Sequence, residues 1–80
     1  MSAEPVAVEV RISVEGEVMP LRFAWHGAWL EIAQVGRRWS DEEGEHWLVM
    51  PAAEARVFEL TRTLDGLWRA TGRGGRVALA

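Results

Sequence analysis

Strict alternation of apolar and polar residues near the start of the chain is the feature that most limits how it can fold. In VAVEVRISVE, residues 6–15, an aliphatic β-branched side chain occupies every second position from Val6 to Val14. A period of two puts these side chains on one face of an extended strand. The stretch therefore predicts a β-strand with one buried and one solvated face, ended by a turn at residues 15–17.

The same period returns in VMPLRFAWH, where Met19, Leu21, Phe23 and Trp25 share one phase. These four side chains are predicted to face inward on a second strand. Pro20 has the opposite phase and cannot donate a ladder hydrogen bond, so we expect it early in the strand or at a sheet edge.

The hairpin that follows decides where two tryptophans point. Gly27-Ala28 places glycine first of two central residues, which fits a type II′ turn. This turn pairs Trp25 with Leu30 on the inner face. It also pairs His26 with Trp29 on the outer face, so Trp25 is predicted to be core and Trp29 to be exposed.

After this hairpin the apolar phase slips by one residue, since Val35 and Trp39 fall on odd numbers. One extra residue near Ala33-Gln34, a β-bulge, would restore the inward direction. An acidic loop at residues 40–45 then leads into the short strand HWLVM. Trp39 and Trp47 are predicted to meet across this loop as a cross-strand pair.

Residues 51–64 fit two structures. Apolar residues at helical spacing after a proline suit a helix, whereas RVFELTRT is rich in strand-forming residues. We favour strands joined by a three-residue loop over residues 64–66, with the glycine left-handed, which pairs Arg62 with Trp68. The glycine-rich end, residues 71–80, is expected to add one short strand.

These elements predict one small all-β domain over residues 1–80, with flexible ends at 1–4 and 72–80. About six antiparallel strands form a meander that twists into a half-open barrel or roll. The core is expected to consist of aromatic and large aliphatic side chains, namely Phe23, Trp25, Ile32, Trp39, Phe58, Leu60 and Trp68.

Composition narrows the class of protein. The 80 residues contain no cysteine, which excludes disulfides and Cys-ligated zinc. No apolar run approaches the roughly 18 residues of a membrane span, so we expect a cytoplasmic protein without a membrane partner. The net charge of −3 divides into −6 over residues 1–54 and +3 over residues 55–80. Such segregation suits contacts with a protein partner or with a second copy of the chain.

A spaced set of hydrophobic residues and glycine carries a family resemblance. The set consists of Phe23, Trp25, Gly27, Leu30, Ile32, Val35 and Trp39, followed by V-F-E-L at residues 57–60 and G-L-W at residues 66–68. It resembles the motif F-x-W-x-G-x-x-[aromatic]-x-V-x-x-V, with a tryptophan four residues on, of a small bacterial family described as a domain of unknown function.

The resemblance covers about residues 10–70 and departs from the family motif at Leu30, where the family has an aromatic residue. It implies strands rather than a helix at residues 56–63. Related domains are found alone or attached to proteins that resemble translesion DNA polymerases, so the resemblance also implies a DNA-repair setting.

The sequence offers little for catalysis. It has two histidines and no cysteine, and its serines lie in no nucleophile-elbow pattern, so we predict neither an enzyme nor a cofactor. His46 follows the acidic residues Asp41, Glu42, Glu43 and Glu45. This cluster is interpreted as a solvated acidic turn rather than a metal site.

We therefore expect a non-enzymatic binding or assembly module that contacts an unknown protein partner or itself. The alternative is a single-stranded nucleic-acid-binding accessory domain, in which bases stack on tryptophan and arginines hold phosphates. The candidate binding surface combines the outer-face aromatic residues with arginines, namely His26, Trp29, Arg22, Arg62, Arg69, Arg73 and Arg76.

Overall fold

The computed structural model describes residues 3–73, and within them all regular secondary structure is β-strand. The strands are β1 (Glu4–Pro5), β2 (Val8–Ile12), β3 (Val18–Trp25), β4 (Ala28–Asp41), β5 (Gly44–Pro51), β6 (Phe58–Thr63) and β7 (Trp68–Gly72). The predicted all-β meander is confirmed, with seven strands where about six were expected.

The strands form one antiparallel sheet in the order β1-β7-β6-β5-β4-β3-β2. Its two outermost strands, β1 and β2, are separated by only two residues of chain. The Val6 N–H donates to the Trp68 carbonyl at 3.1 Å, whereas the Ala7 carbonyl accepts from the Ala24 N–H at 2.9 Å. The N-terminal segment therefore pairs with both sides of the meander and curls the sheet into a half-barrel.

The inner face of the half-barrel holds the core. Phe23, Phe58 and Leu60 are fully buried, as predicted. The predicted core residues Trp25, Ile32 and Trp68 are half-buried and pack against them. Trp47 is fully buried as well, and its ring centroid lies 5.1 Å from that of Trp68. Large aromatic side chains supply the apolar area that a domain of this size needs.

The β3–β4 hairpin turns one residue earlier than predicted. Trp25 pairs with Ala28, and the two central residues, His26 and Gly27, have φ angles of 47° and 86°. Positive φ at both central residues defines a type I′ turn, whose twist matches that of paired strands. The predicted pairing of His26 with Trp29 is therefore wrong.

The faces predicted for the two tryptophans are nevertheless those observed. Phe23 pairs with Leu30, and both are buried. Ala24 pairs with Trp29, so Trp29 lies on the outer face of the sheet, with 48% of its surface exposed. Trp25 lies on the opposite, inner face and contacts the core.

An extra residue in β3, opposite the step from Glu9 to Val10 of β2, reverses the phase of the strand. Pro20 is consequently buried, and Met19 and Leu21 are 42% and 38% exposed. The predicted inward direction of Met19 and Leu21 is wrong because this bulge was not anticipated. A bulge is a position at which a sheet accommodates proline.

The tip of the β2–β3 hairpin extends beyond the core. Ile12 is 63% exposed and Val14 is fully exposed. Alternation alone predicted both as buried, but this end of the hairpin extends past the core, so neither side chain has a core residue to pack against.

β4 carries the predicted bulge and a second one. Its register with β5 shifts between Ile32 and Gln34, as expected, and again between Val35 and Arg38. Because of the second shift, Trp39 pairs with His46. The predicted Trp39–Trp47 pair is wrong, and Trp39 lies on the outer face rather than in the core.

The choice of strand over helix after residue 51 is confirmed, since β6 occupies Phe58–Thr63. Arg62 pairs with Trp68 as predicted, and Gly66 in the loop has a φ of 87°. Of the chain ends, Glu4 begins β1 and Gly72 ends β7. Residues 1–2 and 74–80, with Arg76 and the predicted final strand, lie outside the described residues.

Candidate functional site

Four side chains on the outer face of β2, β3 and β4 form the first candidate site, which we call the Trp29 platform: Trp29, Arg22, Glu9 and Glu31. The guanidinium carbon of Arg22 lies 4.6 Å from the centroid of the Trp29 ring. Arg22 donates from Nε and Nη2 to the two carboxylate oxygens of Glu9 at 2.9 and 3.0 Å. Its Nη1 lies 3.6 Å from Glu31. The guanidinium is thus held over the indole by ion pairs with Glu9 and Glu31.

The ion pairs of the platform also shift its titration. The hydrogen bond from Arg22 lowers the pKa of Glu9, and the same bond raises the pKa of Arg22. All of these groups are solvated, so the pairing orients side chains more than it stabilises the fold. What the platform offers a partner is a pre-ordered, half-exposed indole with fixed charges beside it.

His26, expected beside Trp29, occupies a different place. Its imidazole stacks on the ring of Trp25, with centroids 4.4 Å apart and planes 12° apart. Its Nε2 lies 3.1 Å from a carboxylate oxygen of Glu4. His26 therefore covers the hairpin turn and contacts β1 rather than joining the Trp29 platform.

The predicted arginines do not gather around the indole either. Arg62 lies 3.9 Å from Glu45, and Arg73 lies 2.6 Å from Glu59. Arg69 pairs with Thr61 in the β6–β7 ladder. Among residues 3–73, no ion pair, hydrogen bond or cation–π contact joins these three arginines to the Trp29 platform.

A second outer-face cluster includes Asp41 and His46, which the sequence placed in a solvated acidic turn; that interpretation is wrong for His46, and the contacts with Trp39, Glu59 and Thr61 were not predicted. We call it the His46 cluster: His46, Trp39, Asp41, Glu59 and Thr61. His46 is only 2% exposed although it points to the outer face. Trp39 lies flat on its ring, with centroids 4.9 Å apart and planes 6° apart.

Both nitrogens of the His46 ring meet carboxylates. Nε2 lies 2.8 Å from Asp41, and Nδ1 lies 2.9 Å from Glu59 and 3.1 Å from the Thr61 hydroxyl. Burial alone would lower the pKa of His46, but the hydrogen bonds to Asp41 and Glu59 outweigh it and raise the pKa. The bond from His46 in turn lowers the pKa of Asp41. The cluster is therefore an imidazole ring held between two carboxylates under an indole, an arrangement that favours its protonated form.

This geometry limits the chemistry available to His46. When both ring nitrogens are protonated, they donate to these carboxylates and neither has a lone pair free for a proton or a metal ion. Asp41, Glu43 and His46 place ligand atoms within 4.8 Å of one another. However, the histidine nitrogen of that group is already bonded to Asp41. The arrangement ties β4, β5 and β6 together.

The signal for the His46 cluster was present in the turn. A two-residue turn at Glu42-Glu43 pairs Asp41 with Gly44 and therefore Trp39 with His46. Counting back from that turn would have placed the indole over the imidazole. The burial could not be foreseen, since it depends on Glu59, which lies 13 residues further along the chain on the neighbouring strand β6.

The part of the chain that the structure describes is thus an antiparallel half-barrel with two tryptophan-bearing ionic clusters on its outer face. No helix among residues 3–73 is long and apolar enough to cross a membrane. The chain matches no protein-family signature, no curated protein and no solved structure. The resemblance to a domain of unknown function accordingly stays a prediction.

Proposed function

We propose that the protein is a non-enzymatic, protein-binding module and that its contact surface is the Trp29 platform. One observation carries the proposal: Trp29 is 48% exposed, yet its ring is held in place by the guanidinium of Arg22 at 4.6 Å. Tryptophan and arginine are the residues that most often dominate the binding energy of protein interfaces. An indole fixed before binding loses little side-chain entropy when a partner covers it.

The charges beside the indole indicate what kind of partner fits. Arg22 is matched by two carboxylates, Glu9 and Glu31, so the platform carries a small negative excess. A protein segment with an apolar anchor for the indole and a basic residue at its rim suits this surface. A cytoplasmic location in a bacterial cell is part of the same proposal.

Single-stranded nucleic acid stays the alternative. It would require arginines around the exposed indole to hold phosphates. Arg62 and Arg73 instead lie against Glu45 and Glu59. The charge beside Trp29 therefore favours a protein partner over a polyanion.

Selection from a displayed library of random peptides tests the proposal without a known partner. Peptides enriched on the full chain should lose binding to Trp29→Ala and keep it with Val35→Ala, a control that trims a 36% exposed residue of the same strand. Amide shifts on adding a selected peptide should centre on residues 22–31. Peptides that bind Trp29→Ala equally well, or quenching of Trp fluorescence by oligothymidylate at low salt with no peptide enriched, would contradict it.

A further inference from the structure

One edge of β2 is open. Alternate residues of a strand direct their backbone groups to opposite edges. Ala7 accepts from Ala24 of β3, and Ser13 donates to Glu17, the residue before β3, so the odd-numbered residues of this segment face β3. The N–H and C=O groups of Val8, Val10 and Ile12 therefore face the other edge, which no strand within residues 3–73 occupies beyond Val8.

The open edge begins where β7 ends its contact with the N-terminal segment. The Val6 N–H still donates to the carbonyl of Trp68, which is the first residue of β7. The loop over residues 64–66 precedes Trp68, so β7 does not extend far enough to pair with Val8. From Val8 onward, three residues in an extended conformation present backbone groups that pair with no strand among residues 3–73. Unpaired strand edges readily add a further strand.

Natural sheets guard such edges with bulges, proline or charge. The unpaired side of β4 shows this protection, since the strand is bulged twice and carries Arg37 and Arg38 beside Gly36. β2 contains neither proline nor glycine, and the bulge opposite it lies in β3. The β2 edge is thus regular, and its two charged residues, Glu9 and Arg11, have opposite signs, so they do not repel a second copy of the same strand.

We propose that the occupant of this edge is β2 of a second copy of the chain, paired antiparallel about a two-fold axis at Val10. The sequence VEVRI is self-complementary in that register. Val10 faces its own copy, Val8 faces Ile12, and Glu9 faces Arg11. The three residues with outward-facing backbone groups all fall at hydrogen-bonded positions of the new ladder, so the register satisfies them together.

Charge supports the same register. Arg11 makes no ion pair among the described residues, whereas Glu9 and Glu31 together exceed the charge of Arg22. The Arg11 side chain of the second copy would enter the outer face beside Glu9 and balance that excess. Opposite charges facing each other on neighbouring strands stabilise a sheet, and like charges destabilise it.

The exposed apolar side chains at this end of the molecule support it as well. Ile12, 63% exposed, would face Val8 of the second copy. Val14 of the second copy is fully exposed and would lie beyond that pair, towards Leu67 of the first copy. Leu67 is 59% exposed and comes immediately before Trp68, whose carbonyl accepts from the Val6 N–H. Pairing would therefore cover three apolar side chains that a single copy leaves in water.

The contact is short, so the dimer is weak and depends on concentration. It is isologous, because the same residues serve both copies, so the pairing closes at two copies. It shares Glu9 with the Trp29 platform, but the indole of Trp29 is not part of the proposed contact.

A charge exchange tests the register by sedimentation equilibrium over a concentration series. The wild-type mass should rise towards twice the 9.0 kDa of one chain. Arg11→Glu puts Glu9 opposite a carboxylate, and Glu9→Arg puts Arg11 opposite a guanidinium. Each variant alone should raise the dimer dissociation constant about tenfold. Mixing the two variants should restore association, since every facing pair is then of opposite charge.

Hydrogen exchange supplies a second readout that needs no variant. Amides of Val8, Val10 and Ile12 should be protected at high concentration and exchange freely on dilution. Amides of Glu9 and Arg11, which face β3, should be protected at both concentrations. A wild-type mass of one chain throughout, failure of the mixture to associate, or protection of the three amides independent of concentration would each overturn the proposal.

Discussion

The two tryptophan clusters of the outer face both combine an indole with ionic groups, but one buries its charge and the other leaves it exposed. In the His46 cluster the indole of Trp39 covers an imidazole ring that is 2% exposed and bonded to two carboxylates. In the Trp29 platform the indole is 48% exposed, and the cation that lies on it is solvated. One cluster is closed over its charge, and the other is open.

The difference arises from the position of each cluster in the sheet. His46 lies on β5, which has a strand on both sides, and its partners come from β4 and β6. Trp29 follows a hairpin turn, and its ionic partners come from β2, β3 and β4, near the end of the strand order. A charge in the middle of a sheet is cut off from water and must be matched, whereas a charge near the edge stays available.

The largest expected effect comes from breaking the closed cluster. His46→Asn removes one donor from each of Asp41 and Glu59 and empties part of the space beneath Trp39. We expect a loss of about 3 kcal/mol in the free energy of unfolding, because two hydrogen bonds between a buried ring and carboxylates are lost together with the packing of that ring. Urea unfolding measures this loss, which corresponds to a fall in Tm of about 15 °C.

The other histidine is the matched control. His26→Asn places asparagine before glycine in a type I′ turn, the favoured pair for that turn, so the free energy of unfolding should stay equal or rise. Equal losses in the two variants would show that the His46 cluster contributes no more than an exposed histidine does.

The second effect is pH dependence. The pKa of His46 is raised in the folded state, since its bonds to Asp41 and Glu59 outweigh burial. Its ionic contribution is therefore complete below the unfolded value, about 6.5, and is lost as the pH rises through the folded pKa. The pKa of Asp41 is lowered by its bond to His46, so its contribution is lost as the pH falls below about 4.

The difference in unfolding free energy between wild type and His46→Asn should consequently be largest between about pH 4 and 6.5 and shrink at alkaline pH. This pH-dependent part is smaller than the total loss in unfolding free energy, because the packing of the imidazole under Trp39 contributes equally at every pH. Comparing the two proteins cancels the contributions of the groups that both retain. A difference that is constant from acid to alkaline pH would mean that folding does not shift the pKa of His46, and one that shrinks as the pH falls below about 6.5 would mean that His46 is buried neutral.

Much of this architecture was predictable from local patterns. Alternation gave the strands, and the choice of a three-residue loop gave the pairing of Arg62 with Trp68. The slip in phase after Ile32 gave the first bulge of β4. Each of these depends on neighbours in sequence, where a period of two and the geometry of turns carry the information.

The errors have a common physical cause. The bulge in β3 that turns Pro20 inward, and the second bulge in β4 that brings Trp39 over His46, are each set by packing against other strands. One unrecognised extra residue reverses every later side chain of a strand. These errors affected the predicted candidate site most, because the face of the sheet on which a side chain lies decides whether it can contact a partner or only packs within the fold.

The smallest expected effect tests the open cluster. Trp29→Ala removes a half-exposed ring and its contact with Arg22, and we expect a loss of about 1 kcal/mol or less in the free energy of unfolding. Trp39→Ala is the control on the same face, and it should cost more because it uncovers His46. Thermal unfolding of both variants measures the contrast. A loss above about 3 kcal/mol for Trp29→Ala would make Trp29 part of the core. The indole of Trp29 would then be needed for folding, which would contradict its assignment to partner binding.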